Sequence, residues 1–371
     1  MASLGLAGEA VRDLFGFSLA GLTDAEQRAR EASHAAARSQ VKGWLRKIKG
    51  GDARVLYCAK GKLKAVVRKG LPPEIRPEVW MILSGAKLRK AEAPRGYYAG
   101  LAAAVEAGEG PSGVLEVSRD VQRMFRHHEA FRQGDGVRSV RRLLSAFLRH
   151  NPEAGYAAGM TAAAAFVLTV MGFHREEDAF WVYASIVEEG LFRGAGEQML
   201  FWCKVQEKVL GALVRERVPR VHKQCMKLGC TVSAVTSTWF SSLFVLTLPA
   251  ETAVRVWDSL ICEGPKVLLR VALALLKKCE STILMTTDMQ QLSQIITYKL
   301  RRVFGANELL NVAFNKLGRL TSAQVHGIHS EMELVVERDI EERSRRMIGL
   351  MPSQGRDSPE LLLGSWVMES L

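Results

Sequence analysis

Six cysteines in 371 residues, at Cys58, Cys203, Cys225, Cys230, Cys262 and Cys279, are too few and too scattered for the disulfide framework of a small secreted domain. They are expected to be reduced thiols of a cytoplasmic protein. Cys225 and Cys230 are followed by no second close Cys or His pair, and His127-His128 stands equally alone, so spacing supplies no zinc site. Long apolar runs are also missing. The most apolar window, Met160 to Met171, falls short of the roughly 20 residues a bilayer-spanning helix needs, and reads as a buried core helix. The N-terminal MASLGLAGEAVRDLFGF has no basic start followed by a continuous apolar stretch, and its acids argue against a transit peptide, so nothing there is expected to direct secretion. Segments alternating with period two are nearly absent, which favours an all-α fold over α/β. No internal repeat of fixed period occurs. There is no GxxxxGK[ST] loop, so the chain is not expected to hold GTP itself, and no Ser-His-Asp set or HExxH points to hydrolytic chemistry.

What is present is an ordinary soluble composition, 48% hydrophobic and 24% charged, long enough for one large or two modest domains. The net charge of +12 is unevenly spread. Residues 38–69 carry eleven bases, from Arg38 to Lys69, against the single acid Asp52, an excess of ten. Such a strip attracts anionic lipid headgroups, an acidic protein face or nucleic acid through unspecific Coulomb forces. A solvated basic edge without a dedicated partner explains it equally well. No zinc-finger spacing or aromatic-interleaved RNA motif accompanies the strip, so specific nucleic-acid binding is not expected.

Helical patterns dominate. In SVRRLLSAFLRHNP, residues Val140, Leu143, Leu144, Phe147 and Leu148 recur at helical spacing and Asn151-Pro152 ends the run. EEDAFWVYASIVEEG has acids in its first turn, where they complement the helix dipole, and Gly190 is expected just past its end. PAETAVRVWDSLICEG opens on Pro249 and closes on Gly264, and VLLRVALALLKKC is apolar almost all round. One charged helix is expected from Ser322 onward, followed by a linker, MPSQGRDSPE. The aromatic residues Trp80, Trp181, Trp239 and Trp257 are expected in the core.

Several of these fragments together resemble the TBC domain of Rab GTPase-activating proteins. KGLPPEIRPEVW (69–80), with Gly70, Pro72, Arg76 and Trp80, is similar to the family's opening. VSRDVQRMFRHHEAF (117–131), with Val117, Asp120, Arg123, Phe125, His128 and Phe131, resembles its aspartate-to-arginine motif. GYAAGM (155–160) resembles the glutamine motif, EEDAFW (176–181) follows in order, and TWFSSLFVLTLPAETAVRVWDSLICEG (238–264) resembles the second half. The match runs over roughly residues 60–320. It implies an all-α, two-lobed TBC fold over 61–320, a basic and partly helical N-terminal extension over 1–60, and a charged C-terminal helix and tail over 321–371.

The resemblance further implies a partner, a Rab-family small GTPase in its GTP-bound state, which carries the nucleotide and magnesium, so that this chain needs no cofactor or metal of its own. Vesicle trafficking is the implied process, with possible peripheral attachment to endomembranes. Arg123 takes the position of the family's arginine finger, a planar permanent charge suited to a separating γ-phosphoryl group. Asp120, one helical turn earlier, is expected to orient it. On spacing alone the pair equally suits a surface salt bridge worth less than about 1 kcal/mol. Where the family has Tyr-x-Gln this chain has Tyr156-x-Ala158, with Gly155, Tyr156, Gly159 and Met160 in register around it. A methyl group can neither donate to nor accept from an attacking water. Tyr156, with Ala158 and Gly159, is expected on the partner-facing turn, as a contact, a brace or a packed core aromatic. Two functions follow from the resemblance: a Rab GTPase activator weakened by Ala158 or reliant on the GTPase's own glutamine, and a pseudo-GAP that binds Rab without accelerating hydrolysis.

Overall fold

The computed structural model describes residues 12–44, 60–107, 114–125, 128–132, 135–154, 156–191 and 196–350. Residues 45–59 of the basic strip, Gly155 and the MPSQGRDSPE segment lie outside the described residues. As the near-absence of period-two alternation predicts, the fold is all-α: among the described residues the one extended pairing is an isolated bridge between Arg12 and Ser18. Helices run in the order α1 (Asp24–Arg38), α2 (Lys60–Lys69), α3 (Arg76–Leu83), α4 (Ala86–Glu92), α5 (Tyr97–Glu106), α6 (Val114–Met124), α7 (Glu129–Arg132), α8 (Asp135–His150) and α9 (Ala158–Met171). They continue with α10 (Glu176–Ser185), α11 (Gly196–Arg217), α12 (Pro219–Lys227), α13 (Ser233–Ser241), α14 (Ala250–Glu263), α15 (Lys266–Ile283), α16 (Met289–Leu300), α17 (Ala306–Asn311) and α18 (Ser322–Leu350).

Two groups of helices share the core. In the first, α8 packs on α5, α6, α9 and α10, because its face of Val140, Leu143, Leu144, Phe147 and Leu148 is buried along its length. Helix α9 is buried from Met160 to Leu168, and its run Ala162 to Ala165 lets neighbouring helices approach closely. In the second group α11 packs on α12, α13, α15 and α18, and α14 packs on α2, α15 and α17. Contacts of α9 with α13 and of α14 with α3 join the groups. Gly264 ends α14 at φ +85, as a C-terminal glycine in a positive-φ conformation should. Gly190, expected just past the end of α10, instead lies within a π-helical turn, Ile186–Leu191. The widened turn brings Glu188 to Arg89 at 2.5 Å and to Asn151 at 3.0 Å, so a buried-side ion pair supports the departure from α geometry.

The opening motif stitches the two groups. Arg76 donates from Nε to Asp258 Oδ1 at 3.0 Å and from Nη2 to the Leu71 carbonyl at 2.5 Å, and Trp80 Nε1 donates to the same Asp258 oxygen at 2.8 Å. Trp80 stacks on Trp257 with centroids 6.0 Å apart, and Trp181 and Trp239 are buried too. Gly70, at φ +115, has no room for a Cβ, which would lie 2.9 Å from the Arg255 guanidinium carbon. Within the described part of the basic strip, Arg68 pairs through two nitrogens with Glu263 at 2.7 and 2.6 Å and lies 3.7 Å over the Phe314 ring. That charge is engaged inside the fold. The thiol of Cys230 points at the Cys225 carbonyl, 3.5 Å away, and burial pushes the Cys225 thiol up to about 12.

Candidate functional site

Helix α6 carries the aspartate-to-arginine motif on two faces. Val117, Val121 and Phe125, spaced by four, are buried against α8 and α9, while Arg119, Gln122 and Arg123 face outward. Arg123 stands in the last turn, where a cation complements the negative end of the helix dipole. Its side chain is 69% exposed, and its Nη2 donates to Asp120 Oδ1 at 3.0 Å. Asp120 is only 15% exposed, because its other oxygen is turned inward.

That second oxygen, Oδ2, accepts a hydrogen bond from the Tyr156 hydroxyl at 2.6 Å. Tyr156 has one phenolic proton and gives it to the carboxylate, so in the 2.8 Å contact with Thr161 Oγ1 the threonine donates. The result is a relay from the buried Thr161 in α9, through Tyr156 and Asp120, to the exposed guanidinium of Arg123. The relay fixes the carboxylate from below and leaves the guanidinium's remaining donors facing solvent. Thr161 was not among the residues singled out in the sequence. Five positions beyond Tyr156 and inside an apolar run, it carries no signal that separates it from an ordinary helix threonine.

The turn before α9 holds the other residues. Ala158 is the first residue of α9 and is partly exposed, and Ala157 before it is in an extended conformation. Gly159 is pressed onto the end of α13: a Cβ there would lie 2.0 Å from the Ser241 carbonyl oxygen and 2.8 Å from Met199 Cε. Only glycine allows that approach. Asp120, Arg123 and Tyr156 are therefore brought into direct hydrogen-bonded contact, whereas Ala158 and Gly159 belong to the adjoining turn and make no polar side-chain contact, having no polar side chain.

The end of α6 is covered by aromatic residues. Phe125 and Phe131 have centroids 5.0 Å apart, and His128 lies 4.8 Å from Phe131. Burial lowers the His128 pKa, and Nε2 carries its proton, since its partner at 2.6 Å is the carbonyl of Phe15. His128 is thus a neutral packing residue in this site. Among the described residues no group of three or more His, Cys, Asp or Glu side chains could hold a metal ion. The cavity under α1, lined by Phe15, Arg30, His34, Arg76, Glu251 and Arg255 among others, does not include Asp120, Arg123 or Tyr156. The chemistry this corner offers is therefore an outward-facing, pre-oriented cation suited to a phosphate presented by another molecule.

The chain is similar to several known proteins. The sequence model of the Rab-GTPase-TBC domain matches residues 73–284. TBC1 domain family member 2A of Mus musculus is 31% identical over 304 residues, 81% of this chain and 32% of that protein. Growth hormone-regulated TBC protein 1 of Homo sapiens is 34% identical over 248 residues, 66% of this chain and 70% of that protein. The crystal structure of the Chlamydomonas flagellar RabGAP TBC domain superposes with a TM-score of 0.73 at 30% identity, covering 82% of this chain and 100% of that one. This chain spans about a third of the length of TBC1 domain family member 2A. With the motifs in order, the helical fold shared and the family match covering more than half of its length, the chain belongs to the Rab-GTPase-TBC domain family.

Proposed function

We propose that this protein is a Rab GTPase-activating protein: it grips a GTP-bound Rab and inserts Arg123 into the partner's nucleotide site. The observation that carries the reading is the relay behind Arg123, in which Asp120 is anchored by Tyr156 and Thr161 while the guanidinium stays 69% exposed. A pre-oriented guanidinium meets the charge that develops on the γ-phosphoryl oxygens without reorganising first. Arginine fingers contribute about 10³ to 10⁵ in rate, or roughly 4 to 7 kcal/mol of barrier. GTP and magnesium arrive with the partner, and the basic residues between 38 and 69 that are not paired within the fold, as Arg68 is, attract an anionic membrane surface during vesicle traffic. No helix among the described residues is long and apolar enough to cross a membrane.

Ala158 stands where the family's glutamine finger is expected, and its methyl group cannot orient the attacking water. Loss of one well-placed transition-state donor costs about 10² to 10³ in rate. Stimulation therefore relies on a GTPase that supplies its own glutamine. The same residue favours a second reading, a pseudo-GAP that binds GTP-loaded Rab as an effector or scaffold without accelerating hydrolysis. Single-turnover GTP hydrolysis across a Rab panel separates the two, with wild type, Arg123→Ala and Ala158→Gln. Acceleration by wild type that Arg123→Ala abolishes supports the enzyme. Binding without acceleration, converted to acceleration by Ala158→Gln, supports the pseudo-GAP. Failure to bind any GTP-loaded Rab removes both.

A further inference from the structure

The N-terminal segment before α1 reaches the arginine-bearing end of α6, more than a hundred residues away in sequence. Residues 13–17 form a tight turn: Asp13 N donates to the Phe17 carbonyl at 2.8 Å, and Gly16 N donates to the Asp13 carbonyl at 3.1 Å. The Asp13 carboxylate accepts from Phe15 N at 2.9 Å and Phe17 N at 2.8 Å, closing the turn from inside. The turn presents two groups to α6 and α7. The Phe15 carbonyl accepts from His128 Nε2 at 2.6 Å, and the Phe17 ring lies edge-on to His128 at 4.7 Å and 6.1 Å from Phe125. Gly16, at φ +88, sits so close that a Cβ would lie 2.9 Å from His128 Nε2. On its other side Leu14 N donates to Glu251 Oε1 at 3.4 Å, the carboxylate that Arg30 of α1 also holds, with Nε to Oε2 at 2.6 Å.

We propose that residues 13–17 are a positioning strap for the arginine finger, in which Phe17 and the His128–Phe15 hydrogen bond hold the last turn of α6 and so set where Arg123 points. The inference rests on the reading of Arg123 as that finger. Three features argue for a strap rather than ordinary packing. Phe125, the residue that Phe17 covers, is two positions beyond Arg123 and closes the buried face of α6. His128 Nδ1 is buried without a hydrogen-bond partner, so the bond to Phe15 is the ring's one polar anchor, and losing it leaves the imidazole with none. The strap is itself anchored on α14, which belongs to the other group of helices, so it spans from a fixed body to the end of α6. The last turn of a helix frays unless something holds it. A frayed turn spreads the guanidinium over positions, and a misplacement of about 1 Å can cost on the order of 10² in rate.

The test uses the full chain as wild type, Phe17→Ala, Phe17→Leu and Arg123→Ala, in single-turnover hydrolysis with a responsive Rab, Rab·GTP affinity, and amide exchange over α6. Phe17→Ala is expected to lower the maximal stimulated rate by about 10- to 100-fold. Its Rab affinity should stay within about twofold of wild type, exchange should rise at residues 121–125 alone, and Phe17→Leu should restore most of both. A stimulated rate equal to wild type in Phe17→Ala, where Arg123→Ala abolishes stimulation, overturns the strap and leaves the finger standing. Exchange that rises equally in α8 and α15 also overturns it, because Phe17 is then a general stabiliser. If wild type stimulates no Rab, the finger reading fails and the strap, which rests on it, is overturned with it.

Discussion

Two Arg–Asp pairs in this molecule have the same chemistry and opposite surroundings. Arg76 and Asp258, 3.0 Å apart, are 4% and 0% exposed and join helices far apart in sequence. Arg123 and Asp120, also 3.0 Å apart, are one turn apart on one helix, with the arginine 69% and the aspartate 15% exposed. In the buried pair Nε and Nη2 of the arginine are turned to the protein, to Asp258 and the Leu71 carbonyl. In the exposed pair the aspartate is held from below by Tyr156 and the arginine keeps donors for another molecule. Spacing alone gives no hint of that division, and an isolated exposed pair has little effect on stability. What sets the second pair apart is asymmetry: a fixed anion carrying a free-ended cation.

The largest expected effect sharpens this contrast. Arg123→Ala should reduce stimulated hydrolysis by about 10³-fold or more while changing unfolding free energy by less than about 1 kcal/mol, measured by single-turnover assay and urea denaturation. A matched loss of stability would break the comparison. Next, Arg76→Ala leaves Asp258 charged in the core and should cost about 3 to 5 kcal/mol in urea unfolding, and an unshifted midpoint would contradict the stitching role.

Acid offers a third probe. Burial raises the carboxyl pKa of Glu251, but hydrogen bonds from His34 and Arg30 outweigh it and hold the group at about 2. Glu188 is likewise held at about 2, burial being outweighed by His150, Arg89 and Asn151. Both values lie below the ordinary 4.5, so their stabilisation is complete above that pH and is lost as pH falls toward 2. Each contributes on the order of 2 to 3 kcal/mol, so urea midpoints should fall between pH 5 and pH 3, and less steeply in Glu251→Gln. Equal slopes in wild type and variant would count against the N-terminal anchorage at Glu251. The smallest effect should come from Tyr156→Phe, which removes the donor to Asp120 and the acceptor for Thr161. It should slow stimulated hydrolysis by roughly tenfold, equivalent to about 1.4 kcal/mol, with Rab affinity retained.

The helical framework was legible because burial imposes periodicity. The apolar stripe of α8, the apolar run of α9 and the Pro249 and Gly264 boundaries of α14 all appear where spacing predicts them. The end of α10 was not, since the π-helical turn at Ile186–Leu191 carries Glu188, whose partner Arg89 lies 99 residues away. The candidate site divides in the same way. Asp120 and Arg123 could be paired by their three-residue spacing, and Tyr156 and Ala158 by resemblance. The relay from Tyr156 to Asp120 bridges 36 positions, and the contact of Phe15 with His128 bridges 113, distances at which no local pattern carries information. His128 looked unremarkable as a ligand because its contribution is one hydrogen bond to a backbone carbonyl.

The close seat of Gly159 on the Ser241 carbonyl has a bearing on how this turn can change. The start of α9 is located by contact with α13 and by the Tyr156 hydroxyl, neither of which involves the side chain at 158. Position 158 is partly exposed and takes no part in either contact. Substituting it alters the chemistry on offer without asking the scaffold to refold, which makes the turn a socket whose fitting can be exchanged while the wall around it stays put.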